Sequence, residues 1–204
     1  MGQKSSAIVF DLGNVLIPFN HGIIIDRLNE IKPNLGKRFY QFYMDNYYIH
    51  RDFEKGVLSQ KEFIKIMLNV CENIVDEITF CKIYSGVFSI DEKVVSLLPK
   101  LKDKYRLFLL SNTNPIHKEF GYKHYEFLKY FEKLFLSFEV GSLKPEPEIY
   151  KAVEDYTKLK PQEHIFIDDI KEYADAAKLI GWDGIHFLNY NQLVDELRKR
   201  NILL

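Results

Sequence analysis

Five short apolar runs punctuate the chain, at residues 7–10, 106–110, 133–137, 164–167 and 184–188, and within each the hydrophobicity is continuous rather than alternating. A strand with one wet face alternates apolar and polar residues, whereas one covered on both faces does not, so these runs predict central strands. Between the last four runs lie segments of helical periodicity, among them PEPEIYKAVEDYTKL and EYADAAKLIG. The first carries prolines near its start, where a missing N–H breaks no helical bond, and the second stops at Gly181. Strand and helix in alternation predict an α/β fold built on a doubly wound parallel sheet.

The spacing breaks once, between the runs at 7–10 and 106–110. Residues 18–88 are rich in Phe, Tyr, Ile and Lys, and windows such as FIKIMLNV and FYQFYMDNYY repeat apolar residues at helical intervals. This predicts a compact α-helical domain at 18–88 inserted over the strand ends of a core formed by 1–17 and 89–204. A helix over 91–104 leads back to the core, with Pro99 ending or kinking it. No internal repeat or low-complexity linker is visible.

At 204 residues the chain can hold one full core with a smaller insertion. Its 28 basic and 29 acidic residues nearly balance, with no basic block to track a nucleic-acid backbone, so nucleic acid is not an expected partner. The start, MGQKSSAIVF, lacks the apolar core of a signal peptide, and no run reaches membrane-spanning length, which points to a cytoplasmic protein with no membrane partner. Cys71 and Cys81 form no CxxC pair, in keeping with a reducing compartment and not with a thiol metal site. Gly2 and Ser6 match the short N-myristoylation pattern.

The chemistry-bearing residues cluster where the strands end. IVFDLGNV places Asp11 after the first run, Ser111-Asn112-Thr113 follow LFLL, Lys144 stands in SLKPE, and Asp168-Asp169 follow HIFI. In open parallel sheets ligands bind at the carboxyl ends of strands, because the loops diverge there. A carboxylate, a hydroxyl, an ammonium and an acidic pair converging on such an edge suit metal-assisted phosphoryl transfer. Adjacent carboxylates repel unless a cation holds them, and magnesium takes hard oxygen ligands and bridges carboxylate to phosphate. Lys144 precedes Pro145, which favours extended backbone and predicts a side chain aimed out of a loop.

Over essentially its whole length the chain resembles the haloacid dehalogenase superfamily of hydrolases, in the subgroup with a helical cap inserted after the first strand of a Rossmann-like core. FDLGNVL, LLSNTN, LKPEPEIY and FIDD are similar to the family's motifs in order and spacing. FDLGNVL, SNTNPIH and FEKGVLSQKEF look most like bacterial sugar-phosphate phosphatases of the α-D-glucose-1-phosphate type, and also like the amino-terminal phosphatase domain of soluble epoxide hydrolases.

The resemblance implies that Asp11 is the nucleophile, forming an aspartyl-phosphate released by water. It implies a phosphate site of Ser111 hydroxyl, Asn112 backbone N–H and Lys144, and a Mg2+ site of Asp11, the Gly13 carbonyl and one or both of Asp168 and Asp169. The substrate is then a small phosphorylated molecule. Two departures stand out. Gly13 occupies the position where relatives carry the aspartate that protonates the leaving group, and IKEYADAA follows the acidic pair, with Tyr173 and Asp175 in place of residues that usually support the loop.

Three accounts of Gly13 remain open: a good leaving group needs little help; substrate, water or a cap residue supplies the proton; or the reaction expels halide. The alternatives to a phosphatase are therefore a C–halogen hydrolase and a non-catalytic module that binds a phosphorylated ligand. Asn14 can orient water or shape the turn; Asn112 and Asn114 can contact substrate or cap a helix. Substrate reading falls to cap residues, with His21, Arg27, Arg51, Asp52 and Glu54 as candidates, while the aromatic stripe from Phe39 to Tyr48 suits core packing.

Overall fold

The computed structural model describes residues 5–202; Gly2 of the acylation pattern lies outside them. Strands β1 (Ala7–Phe10), β2 (Arg106–Ser111), β3 (Lys133–Leu136), β4 (His164–Asp168) and β5 (Asp183–His186) form one sheet in the order β3-β2-β1-β4-β5. Every neighbouring pair is parallel. Helices α1 (Gly22–Ile31), α2 (Leu35–Asp45), α3 (Tyr47–Glu54), α4 (Gln60–Val70) and α5 (Glu77–Ser85) lie between β1 and β2. They are followed by α6 (Glu92–Val95) and α7 (Leu98–Lys102), then α8 (Ser137–Val140), α9 (Pro147–Thr157), α10 (Lys171–Leu179) and α11 (Tyr190–Lys199).

The sheet is covered on both faces, which explains the unbroken apolar runs. Ile8, Phe10, Leu107, Leu109, Ile165 and Ile167 share one core with Leu193 and Leu197 of α11. Val9, Phe108, Leu110 and Phe166 face the other way, onto Ile149 and Val153 of α9 and Ala177 of α10. The predicted strands hold with small shifts that matter. β2 and β4 run one residue further than the apolar pattern, so Ser111 and Asp168 are themselves ladder residues. β5 ends earlier than predicted, because the Leu188 N–H is taken by the Gln192 side chain and the Leu188 side chain is exposed.

The segment 91–104 is two short helices rather than one. Pro99 does not end a helix; it lies in the first turn of α7, where its missing N–H costs no bond. FYQFYMDNYY is likewise broken, at Asn46, whose side-chain amide donates to the Phe42 carbonyl and closes α2. Ser59 and Glu62 form a capping box at the start of α4, and Asp76 caps α5 by accepting from Thr79 N–H.

Helices α1–α5 bury a core of their own, including Leu28, Phe39, Phe53, Phe63, Phe80 and Tyr84. Cys71 and Cys81 are buried as free thiols beside it. The end of α3 is where this helical unit is pinned to the sheet unit. The Ser137 hydroxyl donates to the Glu54 carbonyl at 2.6 Å, Lys55 pairs with Glu146 at 2.8 Å, and Gly56 passes against the Phe138 carbonyl. Gly56 has φ of 77°, and a Cβ there would stand 2.6 Å from Phe138 O, so only glycine fits this crossing.

Candidate active site

Phe10 pairs in register with Leu109 on one side and Ile167 on the other, so Asp11 and Asp168 leave the sheet at the same level. The Asp11 N–H donates to Ile167 O at 2.8 Å and continues the ladder one step past the strand. Two carboxylates are thereby set side by side at the centre of the sheet edge, where β1 meets β4. Asp169 follows, half-buried, and one ligand oxygen from each of Asp11, Asp168 and Asp169 lies within 4.8 Å of the others.

Lys144 enters this group from the loop between α8 and α9. Its Nζ lies 2.6 Å from Asp11 Oδ1 and 2.6 Å from Asp168 Oδ2, and the residue is 1% exposed. Lys144 thus reaches out of its loop to the sheet edge, where two buried carboxylates hold its ammonium. Phe166 and Tyr173 supply ring faces, with centroids 5.6 and 5.2 Å from Nζ.

The Asn112 side chain fixes the lysine's backbone. Its Oδ1 accepts the Lys144 N–H at 2.8 Å and its Nδ2 donates to the Lys144 carbonyl at 3.1 Å. That commits the amide to positioning rather than substrate contact. Asn114 acts as a cap, accepting His117 N–H at 2.9 Å. Ser111 is 3% exposed, and its hydroxyl makes only a long contact to Asn112 O at 3.4 Å, so it remains available to a ligand.

Gly13 and Ile17 form a bridge whose bonds are made by neighbours, Ile17 N–H to Leu12 O and Asn14 N–H to Ile17 O. The Gly13 carbonyl is thus left without a backbone donor among the described residues. Asn14 shapes the turn, with a left-handed φ of 51°, and its side-chain amide donates to Asp169 Oδ2 at 3.1 Å, a contact the sequence did not suggest.

The electrostatics are dominated by burial. Burial first, then repulsion from Asp168 and Asp169, lifts the Asp11 carboxyl to about 7 against the pull of Lys144. Lys144 is raised despite burial because two carboxylates hold its proton. Three carboxylates facing one ammonium leave an acidic excess that a divalent cation would balance, and the donor set is all hard oxygen. The residues present fit magnesium.

The two acidic neighbours differ. Asp168 is fully buried with both oxygens engaged, Oδ2 by Lys144 and Oδ1 by the Ile170 N–H at 2.8 Å. Asp169 has one oxygen on Asn14 and its second without a partner among the described residues. Of the two departures after the pair, Tyr173 backs Lys144, while Asp175 is tied to Lys171 and Lys178 at the surface and plays no part in the site.

A cavity of about 190 Å3 opens over these groups, walled below by Asp11, Ser111 and Lys144 and above by Tyr47, His50 and Glu54. Of the expected cap candidates, His21, Arg51 and Glu54 line it; Arg27 and Asp52 do not. The aromatic stripe divides: Phe39 is core, whereas Tyr43 and Tyr47 face the cavity. His50 and His117, missed in the sequence, also line it. Both are buried, and nothing in their local spacing marks them.

The chain belongs to the haloacid dehalogenase-like hydrolase family, whose profile matches residues 6–181. It is 28% identical over 186 residues to a D-ribitol-5-phosphate phosphatase of Bacteroides thetaiotaomicron, an alignment spanning 86% of this chain and 88% of that protein. It is also 28% identical over 197 residues to a sesquiterpene phosphatase of Aspergillus oryzae, covering 95% of each. The crystal structure of a Bacteroides thetaiotaomicron family enzyme in complex with magnesium and inorganic phosphate superposes with a TM-score of 0.80 at 30% identity, covering 93% of this chain and 98% of that one.

Proposed function

We propose that this chain is a magnesium-dependent phosphatase acting on small phosphate monoesters, sugar and polyol phosphates foremost, through an aspartyl-phosphate on Asp11. The observation that carries the reading is the Lys144 ammonium held 2.6 Å from both Asp11 and Asp168, with Asp169 completing an acidic group. A C–halogen hydrolase has no use for that acidic excess, and buried unpaired carboxylates are costly to keep. The phosphatase names of the relatives and the magnesium and phosphate in the superposed enzyme point the same way.

Lys144 holds Oδ1 of Asp11 and orients the carboxylate, whose oxygen attacks phosphorus in line with the ester oxygen. The P–O bond to the leaving group breaks as the new bond forms. The Ser111 hydroxyl and Asn112 N–H donate to the non-bridging oxygens, and Lys144 balances their charge. Water then attacks the phosphoryl group, freeing the Asp11 carboxylate and inorganic phosphate. Asp11, the Gly13 carbonyl and Asp169, with Asp168 behind them, would hold magnesium, which draws charge from the transferring phosphoryl oxygens. Residues 18–88 act as a cap domain over the core, excluding water from the attack and reading the leaving group.

The test is phosphate release from a panel of phosphorylated sugars, polyols and metabolites, with and without magnesium. Magnesium-dependent release that vanishes in Asp11→Asn supports the reading. Turnover that persists in that variant, or release indifferent to chelator, overturns it.

A further inference from the structure

The phosphatase reading leaves one part unfilled, the acid that protonates the leaving oxygen. The core does not supply it at Gly13, which has no side chain, and a Cβ placed there would stand 3.2 Å from the Phe19 ring, which would have to give way.

Across the cavity stands a carboxylate with the opposite history. Glu54, at the end of α3, is 8% exposed and lines the same cavity as Asp11. One of its oxygens lies 3.2 Å from His50 Nε2, and the other carries no hydrogen bond among the described residues. His50 is fixed in turn by the Tyr84 hydroxyl, 3.0 Å from Nδ1. The Tyr84 hydroxyl at Nδ1 and the Glu54 carboxylate beside Nε2 thus flank the imidazole, leaving the second Glu54 oxygen without a partner among the described residues.

The backbone around Glu54 is anchored directly to the sheet unit. Its carbonyl accepts from Ser137, and the same Ser137 oxygen accepts the Thr113 N–H at 2.9 Å, two residues from Ser111. Lys55 and Gly56 add the Glu146 pair and the close crossing at Phe138. A group needed at a reacting atom must be held to a fraction of an ångström, and this is where the helical unit has that rigidity.

We propose that Glu54, oriented by His50 and Tyr84, is the acid/base that replaces the carboxylate absent at Gly13; this rests on the phosphatase reading. In the first step the protonated carboxyl gives its proton to the leaving oxygen as the P–O bond breaks. In the second, the resulting carboxylate takes a proton from water as that water's oxygen bonds to phosphorus and the bond to Asp11 breaks. Glu54 ends protonated and Asp11 ends as a carboxylate, so the cycle closes.

The experiment compares wild type, Glu54→Gln and Glu54→Asp on an alkyl phosphate and on p-nitrophenyl phosphate, whose leaving group needs no acid. Glu54→Gln is expected to lose roughly 10²- to 10⁴-fold in kcat/KM on the alkyl ester. On p-nitrophenyl phosphate it should lose little in kcat/KM and show a stoichiometric burst, because the phosphoenzyme forms and then waits for its base. Glu54→Asp should recover part of the loss. In the Glu54→Gln background, Gly13→Asp with Phe19→Ala should restore turnover by returning an acid to the core.

Equal losses on both substrates with no burst, in protein of native near-ultraviolet circular dichroism, overturn the assignment and leave Glu54 a packing role. So does wild-type-like activity of Glu54→Gln on the alkyl ester. If wild type itself releases no phosphate from any compound, the phosphatase reading falls and takes this proposal with it.

Discussion

Asn112 grips Lys144 by its backbone, its amide oxygen on the Lys144 N–H at 2.8 Å and its amide nitrogen on the Lys144 carbonyl at 3.1 Å. The lysine's position between Asp11 and Asp168 is therefore set by a residue of the loop after β2, thirty-two positions earlier in the chain. Two hydrogen bonds of this kind contribute about 1 kcal/mol each, and leaving a buried group unpaired costs more.

Asn112→Ala is accordingly expected to lower stability by about 2–3 kcal/mol and to reduce kcat by roughly 10²-fold through displacement of the ammonium. Urea unfolding and steady-state kinetics on the same preparation check both. An unaltered kcat would show that Lys144 is held well enough by its carboxylates alone.

The two neighbouring aspartates should separate cleanly. Asp168 is buried with both oxygens committed, so Asp168→Asn breaks a buried ion pair and should cost about 3–5 kcal/mol. Asp169→Asn, half-buried and with an oxygen to spare, should leave the metal-free fold near wild type while abolishing the thermal stabilisation that magnesium confers. Ligand at about 100 times its Kd stabilises by about 2.7 kcal/mol, so a thermal melt with and without magnesium reads the difference directly.

Replacing Lys144 by methionine removes the only cation paired with this acidic group among the described residues. Activity should vanish, the metal-free protein should melt lower, and the upward shift in Tm on adding magnesium should exceed that of wild type, since the ion then neutralises more unbalanced charge. A magnesium shift smaller than wild type would contradict this account of the site's charge.

Acid should weaken the fold through buried imidazole. His117, stacked on Tyr84 with ring centroids 4.4 Å apart, has its pKa pushed well below the ordinary value, chiefly by burial. A group depressed in this way contributes stability that is present above its unfolded pKa of about 6.5. That stability is lost as pH falls below it, because the unfolded chain then binds the proton first. Asp11, raised to about 7 in the metal-free protein, acts with the opposite sign between its unfolded value and neutrality. The informative quantity is the difference between wild type and His117→Phe, which keeps the ring stack. Below pH 6.5 wild type should lose up to about 1.4 kcal/mol per pH unit relative to the variant. Parallel unfolding curves from pH 7.5 to 5 would refute the neutral buried imidazole.

Much of this protein could be read from the chain alone. Continuous apolar runs of four or five residues admit little besides buried strands, and chemistry-bearing residues directly after them must lie along one edge once the strands are parallel. That places Asp11, Ser111 and the Asp168-Asp169 pair on one edge from sequence, with Lys144 added by the resemblance of its motif; in the structure Asp11, Ser111, Lys144 and Asp169 line one cavity, and Asp168 is buried against Lys144 behind it. The helical insertion was legible for the same reason: its periodicity differs from that of the sheet.

What only the tertiary structure decided lies in long-range contacts and in the rotation of helices about their axes. Nothing near Asn112 in sequence says that its amide will embrace Lys144, and nothing in YYIHRDFE says that His50 and Glu54 turn inward while Asp52 does not. Apolar spacing sets which stripe of a helix is buried, but a charged residue at the margin of that stripe goes to solvent or to the site according to what the neighbouring unit presents. Here the Ser137 hydroxyl and the Phe138 carbonyl fix the end of α3 against the sheet unit. They bring a second carboxylate over the one that ends the first strand.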